Sequence, residues 1–355
     1  VLSALEHTTE ICHVSQVLYH WRVTPDSTAS GIGKSKPYAD TAAKLAVQAH
    51  FKRSGIDALV ENTDVPCNLK IHYKPKGEPL VSIIIPSKDN VDILENCINS
   101  ILEKTDYKNF EIIVVENNSV KDSTFAYYEK LQSKYQNVKV LKWEDEFNYS
   151  AINNFGVKNS KGNYIVLLNN DTEIIEPSWL EGMLGLCQQD GVGGVGAKLL
   201  YRDDLVQHAG GQFADAGPFH TLSEKPSQDF AYFGSLVHKH EVSICTAACL
   251  MVSREIYLQV SGLDETYQVA FNDVDFCCKI RALGKSIIFD SSALLYHYES
   301  FSRGYESTVA KRARFNAELS LLNYRWAEMF AQGDPFVNKN LDKFSPYFAL
   351  DTSEI

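Results

Sequence analysis

Short aliphatic runs, each followed by a helical segment, constrain the fold of this chain more than any other feature. Leu80-Val-Ser-Ile-Ile-Ile85 is apolar at nearly every position, as a strand buried on both faces must be. Pro86 ends that run, and Val91–Lys104 then has the spacing of an amphipathic helix. The pattern repeats. Strands are expected at Phe110–Val115, Val138–Leu141 and Tyr164–Leu168, with helices at Ser123–Tyr135 and Tyr149–Asn159 between them. Such alternation predicts an α/β fold, a Rossmann-like, mostly parallel sheet flanked by helices, because parallel strands need a crossover to join them. Ligands of such sheets sit beyond the carboxyl ends of the strands.

After Asp171 the alternation loosens. Helices are expected at Trp179–Gln189 and Val274–Leu283, strands at Gly193–Leu200, Ile244–Val252 and Ser286–Phe289, and one long helix at Thr308–Phe330. Residues 203–240, rich in Gly, His and Phe, read as an irregular, substrate-facing loop region. Upstream, residues 1–78 form a small helical and extended accessory unit. Within it Tyr38–Ser54 is helical, Gly55 stops that helix, and Pro66–Pro79 reads as a linker. Residues 79–332 are the main domain and 333–355 an extended, partly mobile tail.

Composition excludes several classes. A net charge of −11 disfavours bulk binding to nucleic acid, so no nucleic-acid partner is expected. No apolar run reaches the about 18 residues of a membrane span. The eight cysteines include no C-x-x-C pair, which suits reduced, mostly buried thiols in a cytosolic protein. A first residue that is Val rather than Met suits a piece of something longer.

Two carboxylates carry the chemistry. Asp171 ends the hydrophobic run Asn163-Tyr-Ile-Val-Leu-Leu-Asn-Asn-Asp171, and a carboxylate at a strand end suits a divalent metal that carries a diphosphate. Asp273, in Phe271-Asn-Asp-Val-Asp275 just ahead of a helix, suits a general base. Capping turns are the competing reading for both. His297 follows the apolar run Ala293-Leu-Leu-Tyr296, so a strand end can aim it at the same place. His208, His220 and Trp179 are weaker acceptor-side candidates. Gly191-Val-Gly-Gly-Val-Gly196 lacks the Lys-Ser/Thr of a phosphate loop and the dinucleotide fingerprint, and reads as a tight strand entry. Val17-Leu-Tyr-His-Trp-Arg22 also echoes Leu294-Leu-Tyr-His-Tyr-Glu299, each with Ser and Gly a few residues on.

From Leu80 to Phe330 the chain resembles family 2 glycosyltransferases, which have a GT-A fold. The resemblance rests on Val81-Ser-Ile-Ile-Ile-Pro-Ser-Lys-Asp89, Val114-Val-Glu-Asn-Asn-Ser119, Phe147-Asn-Tyr-Ser-Ala-Ile-Asn-Asn154, Leu167-Leu-Asn-Asn-Asp171, Gly262-Leu-Asp-Glu265, Asn272-Asp-Val-Asp275 and His297-Tyr-Glu-Ser300, in that order. It implies an inverting, metal-dependent transfer of a sugar from a UDP- or dTDP-sugar to an oligosaccharide or lipid-linked glycan of the bacterial O-antigen type. It implies Mn²⁺ or Mg²⁺ held by Asp171, His297 and Asn169, the last standing where the family usually has Asp. Asp273 is the implied base. Pro86, Asp89, Glu116, Asn118, Asn148, Asn154, Asn170 and Arg303 are the implied donor-binding residues, with Arg303 on the diphosphate. The first unit resembles the tail of another such domain, which implies a further glycosyltransferase module upstream. The implied location is cytoplasmic or peripheral at the inner face of the membrane. Two other classes stay open: a non-catalytic module that binds sugar nucleotide or glycan, and a nucleotidyltransferase.

Overall fold

The computed structural model describes residues 1–352 apart from 9, 17, 21, 23, 25–37, 64, 66, 215–216 and 299–307. Arg303, Ser300, Ser302 and much of the internal echo lie outside the described residues. Two compact units are present, Val1–Lys74 with Asn338–Asn340, and Pro75–Val337 with Leu341–Ile355.

The first unit holds helices α1 (Leu2–Leu5) and α2 (Tyr38–Ser54) and strands β1 (Ala58–Asn62) and β2 (Leu69–Tyr73). Helix α2 ends as expected at Gly55, whose φ of +67° few other residues adopt. Residues 69–73, expected in a linker, instead form an antiparallel hairpin with 58–62. Phe51 of α2 is buried, with its ring 5.9 Å from that of Tyr73. Glu6 accepts hydrogen bonds from Arg53 and stands 2.7 Å from His50 Nδ1.

The second unit begins with the expected alternation: β3 (Val81–Ser87), α3 (Val91–Lys104), β4 (Phe110–Asn117), α4 (Asp122–Lys134), β5 (Val138–Trp143), α5 (Tyr149–Lys158) and β6 (Tyr164–Leu168). There follow β7 (Thr172–Ile174), α6 (Trp179–Cys187), β8 (Val192–Leu200), β9 (Val206–His208), β10 (Gly211–Ala214), β11 (Gly217–His220), β12 (His240–Val242) and β13 (Cys249–Ser253). The unit closes with α7 (Arg254–Gln259), α8 (Asn272–Ala282), β14 (Ser286–His297), α9 (Val309–Arg325) and α10 (Ala327–Ala331).

The sheet order is β12-β14-β8-β13-β6-β3-β4-β5, with β7 paired to β14 and β9 to β8. All of that path except β13 and β12 runs one way, so the expected mostly parallel sheet is present. Ile83, Ile84 and Ile85 are fully buried, as a central strand covered on both faces requires. Each such side chain contributes about 1.5–3 kcal/mol relative to exposure. The glycines within β8 serve packing: a Cβ at Gly193 would stand 2.3 Å from Ile280, and one at Gly196 would stand 2.4 Å from Cys245 Sγ.

Three expectations are corrected. Residues 203–240 are not one irregular loop: β9 extends the sheet from β8, and β10 and β11 form a hairpin. The short strand at 286–289 continues to His297, with a register shift between Asp290 and Leu294. The long helix breaks at Trp326, whose indole N–H donates to Asp275 instead of facing solvent. The segment from Leu341 is packed within the second unit: Leu222 N–H donates to the Pro346 carbonyl, and Phe348 stacks on Tyr232 at 5.2 Å. All eight cysteines are unpaired, and only Cys12 and Cys67 are exposed. Among the described residues no helix is long and apolar enough to cross a membrane.

Candidate active site

A cavity of about 760 Å³ opens where the sheet topology predicts one. Strands β3 and β6 deliver Pro86–Asn90 and Asn169–Asp171 to its wall from their carboxyl ends. Antiparallel β13 begins at the same edge, so Thr246–Ala248 stand beside them. Strand β14 ends there with His297, and α8 starts there with Asn272 and Asp273. Asp89, Asn90 and Phe271 all line the cavity with φ near +50 to +60°. Non-glycine residues in that region cost about 1–3 kcal/mol each and persist where the surroundings force them.

Asp171 is 6% exposed, and its Oδ1 lies 3.2 Å from His297 Nε2 with no hydrogen-bond partner. The side chain of Gln207 fixes the imidazole: Gln207 Oε1 accepts from His297 Nδ1 at 2.6 Å, and Gln207 Nε2 donates to the His297 carbonyl. With Nδ1 carrying the proton, Nε2 is left as an acceptor beside Asp171. Asn169 Nδ2 donates to that nitrogen at 3.1 Å. Asn169 was expected to lend its carbonyl oxygen to a metal, but that oxygen faces the Tyr149 hydroxyl at 3.3 Å. Burial and the nearby Asp273 charge push the Tyr149 phenol well up, so it stays a donor.

Asp273 accepts from Ala247 N–H through Oδ2 at 3.1 Å and from Val274 N–H through Oδ1 at 2.9 Å. It also lines a second, smaller pocket of about 180 Å³ with His220, Thr246 and Phe271. There Thr246 N–H donates to His208 Nε2 at 3.3 Å, so His208 Nδ1 carries the proton toward His220 Nδ1, 2.7 Å away. Burial, with His220 and His297 nearby, pushes His208 well below the usual imidazole range.

Asp89 ties the end of β3 to α4: its Oδ1 accepts from the N–H groups of Val120 and Lys121 and from the Thr124 hydroxyl. Burial opposes its ionisation, but those donors outweigh burial and hold the carboxyl below its usual range. Asn170 lines the cavity beside Ser87.

Four expected residues do not line it. Glu116 is 2% exposed and accepts from Ser119 N–H inside the turn. Asn118 donates to the Asp145 carbonyl. Asn148 caps α5 through Ala151 N–H and donates to Glu265. Asn154 accepts from the Tyr257 hydroxyl and Leu263 N–H. In each case nearby backbone groups need a polar partner, and the side chain supplies it. Glu173 is held by Lys104, Asn96 and Tyr298. Trp179 is core, with its indole N–H on Thr105. Asp275 is fully buried against Arg325, Trp326 and Lys279.

Over residues 82–260 the sequence matches the family model described as Glycosyl transferase family 2. The chain belongs to that family. This family 2 glycosyl transferase is 43% identical over 338 residues to uncharacterized protein y4gI of Sinorhizobium fredii, covering 94% of this chain and 37% of that one. It is 35% identical over 350 residues to the O-antigen biosynthesis protein RfbC of Myxococcus xanthus, covering 96% of this chain and 26% of that one. The chain thus spans well under half the length of these relatives. Its fold is that of solved GT-A transferases. It matches the mannosyltransferase PcManGT from Pyrobaculum calidifontis in complex with GDP-Man and Mn²⁺ at a TM-score of 0.53 and 17% identity, over 82% of this chain and 74% of that one. It matches GalNAc-T7 with UDP, GalNAc and Mn²⁺ at 0.55 and 15%, over 78% and 57%.

Gln207, which holds His297, and two lysines of the cavity wall had no signal in this family 2 sequence. Gln207 lies in a three-residue strand too short to show a period. Lys121 and Lys311 line the cavity from the starts of two helices, where a lysine looks like any solvated residue.

Proposed function

We propose that this chain transfers a sugar, with inversion, from a nucleoside-diphosphate donor to a hydroxyl of a glycan, and that a divalent cation assists. One observation carries the reading: Asp171 and Asp273, on different elements, line one cavity at the carboxyl ends of a family 2 sheet. The site suits a cation. Two acceptors, Asp171 Oδ1 and His297 Nε2, face each other across 3.2 Å, and Asp171 Oδ1 has no donor. Among the described residues no three His, Cys, Asp or Glu side chains form a cage, so this pair would share the ion with the donor's diphosphate. Bound there, Mn²⁺ or Mg²⁺ would offset the phosphate charge. Lys88, Lys121 and Lys311 add positive charge along the wall.

Asp273 takes the proton of the acceptor hydroxyl as that oxygen attacks the anomeric carbon. The nucleoside diphosphate departs from the opposite face with the bonding electrons, which inverts the carbon. On the nucleoside side Asn117 and Asp89 line the cavity, and Glu116 does not. In this reading the donor is a UDP- or dTDP-sugar. The acceptor is an oligosaccharide or lipid-linked glycan of a bacterial surface polysaccharide, handled at the cytoplasmic face of the membrane. The relative concerned with O-antigen biosynthesis and the nucleotide-bound, Mn²⁺-bound neighbours support this. A further transferase module upstream fits the greater length of the relatives.

Calorimetry with UDP, dTDP and GDP, each with and without Mn²⁺, tests the reading. One nucleotide should bind only with metal, and Asp171→Ala should abolish that. Asp273→Asn should keep nucleotide binding while transfer falls about 100- to 10,000-fold. If Asp273→Asn loses the nucleotide, the base assignment fails. If the intact chain binds none, a supporting module replaces the transferase.

A further inference from the structure

A separate groove of about 400 Å³ lies in the second unit and shares no residue with the large cavity. Tyr232, Phe233, Phe336 and Phe348 wall it, and Phe233 is 85% exposed. The hydrophobic effect alone would bury such a ring. The backbone beneath it is also unusual: Ala231 and Phe233 have φ of 52° and 50°, in the region that favours glycine, and cost about 1–3 kcal/mol each. Gly234 follows at φ +77°, where a Cβ would stand 2.4 Å from the His238 ring. The fold thus bears strain to hold an aromatic ring open.

The floor of the groove is polar and unmet. Gln212 is 3% exposed and its Oε1 has no hydrogen-bond partner, and neither has Ser235 Oγ. Leaving a buried polar atom unpaired costs about 1–3 kcal/mol. A purely apolar occupant would leave both unmet. Nucleic acid is disfavoured by Glu241 and Asp334 in the wall and by the net charge of −11. A sugar ring meets both demands, with a face of C–H groups for the aromatic rings and hydroxyls for Gln212 and Ser235. Gly211 lines both this groove and the small pocket that holds Asp273, so the two adjoin.

We propose that this groove is a second carbohydrate site, holding an inner sugar of the glycan whose end is extended at Asp273. The carbohydrate site stands on the groove alone; its assignment to the acceptor rests on the transfer reading.

The test titrates the whole chain, saturated with UDP and Mn²⁺, with linear tetrasaccharides of N-acetylglucosamine, mannose and rhamnose and with the matching monosaccharides. At least one tetrasaccharide should bind, and more tightly than its monosaccharide. Phe233→Ala and Tyr232→Ala should each weaken it about tenfold, with UDP affinity unchanged. Phe233 is exposed, so its truncation leaves the core intact. No tetrasaccharide binding at millimolar concentration, or binding indifferent to both variants, would overturn the proposal. So would binding of lipid vesicles in place of sugars, lost in Phe233→Ala. The UDP titration reads the transfer site separately: failure there would sink the transfer reading and leave a groove result standing.

Discussion

Gln207 decides which nitrogen of His297 faces the cavity. Its Oε1 can only accept, so the proton sits on Nδ1 and Nε2 is left as an acceptor, 3.2 Å from Asp171 Oδ1. Gln207→Met keeps most of the length of the side chain and removes that instruction. It should weaken Mn²⁺ binding about 10- to 100-fold while the thermal transition moves little, which calorimetry and a melting curve read together. Asp171, His297 and Asp273 stand out in the sequence because strand ends and helix starts are where a fold exposes side chains. Gln207 does not stand out, since its partner lies 90 residues away and no periodicity joins them. Asn154 and Glu116 show the opposite error. They sit in the right motifs, yet their polar atoms are consumed by Leu263 and Ser119 backbone amides.

Among the elements, α3 and β6 fall where the sequence puts them, because an amphipathic helix and a buried aliphatic strand leave clear patterns. Strands β9, β10 and β11 left none, being only three or four residues long. Helix α5 meets the sheet through Gly156: a Cβ there would stand 2.5 Å from Ile84 Cγ2 and 3.0 Å from Val115 Cγ2. Gly156→Ala should therefore destabilise by about 1–3 kcal/mol in urea denaturation, despite alanine's better helix propensity. Strand β8 carries a buried lysine, Lys198, whose ammonium donates to the Ser227 and Leu236 carbonyls. Burial brings its pKa down from 10.5 to about 8. Between those values the unfolded chain holds a proton that the folded chain has released, so stability rises with pH across that window and falls as pH drops through 8. Wild type should gain about 3 kcal/mol on Lys198→Met over that range. Parallel curves for the two proteins would rule the assignment out.

For the whole molecule, the family match ends at residue 260, but Asp273 and His297 lie beyond it. The later elements complete the site. Glu318 on α9 is 4% exposed and accepts from the N–H groups of Gln268, Val269 and Ala270, just ahead of Asp273. Glu318→Ala leaves those three donors unpaired and should cost about 2–5 kcal/mol. Transfer should fall even under conditions where the variant stays folded, which circular dichroism beside a rate assay would show. The alternation of strands and helices made the sheet legible, whereas this late closure was not, because it joins residues far apart in the chain. Asp273 borders the large cavity on one side and the small histidine-lined pocket on the other. The two substrates then need not queue at one doorway. A dead-end acceptor mimic that fills the small pocket should raise the apparent KM for acceptor and leave that for the sugar nucleotide alone, the kinetic mark of random rather than ordered addition.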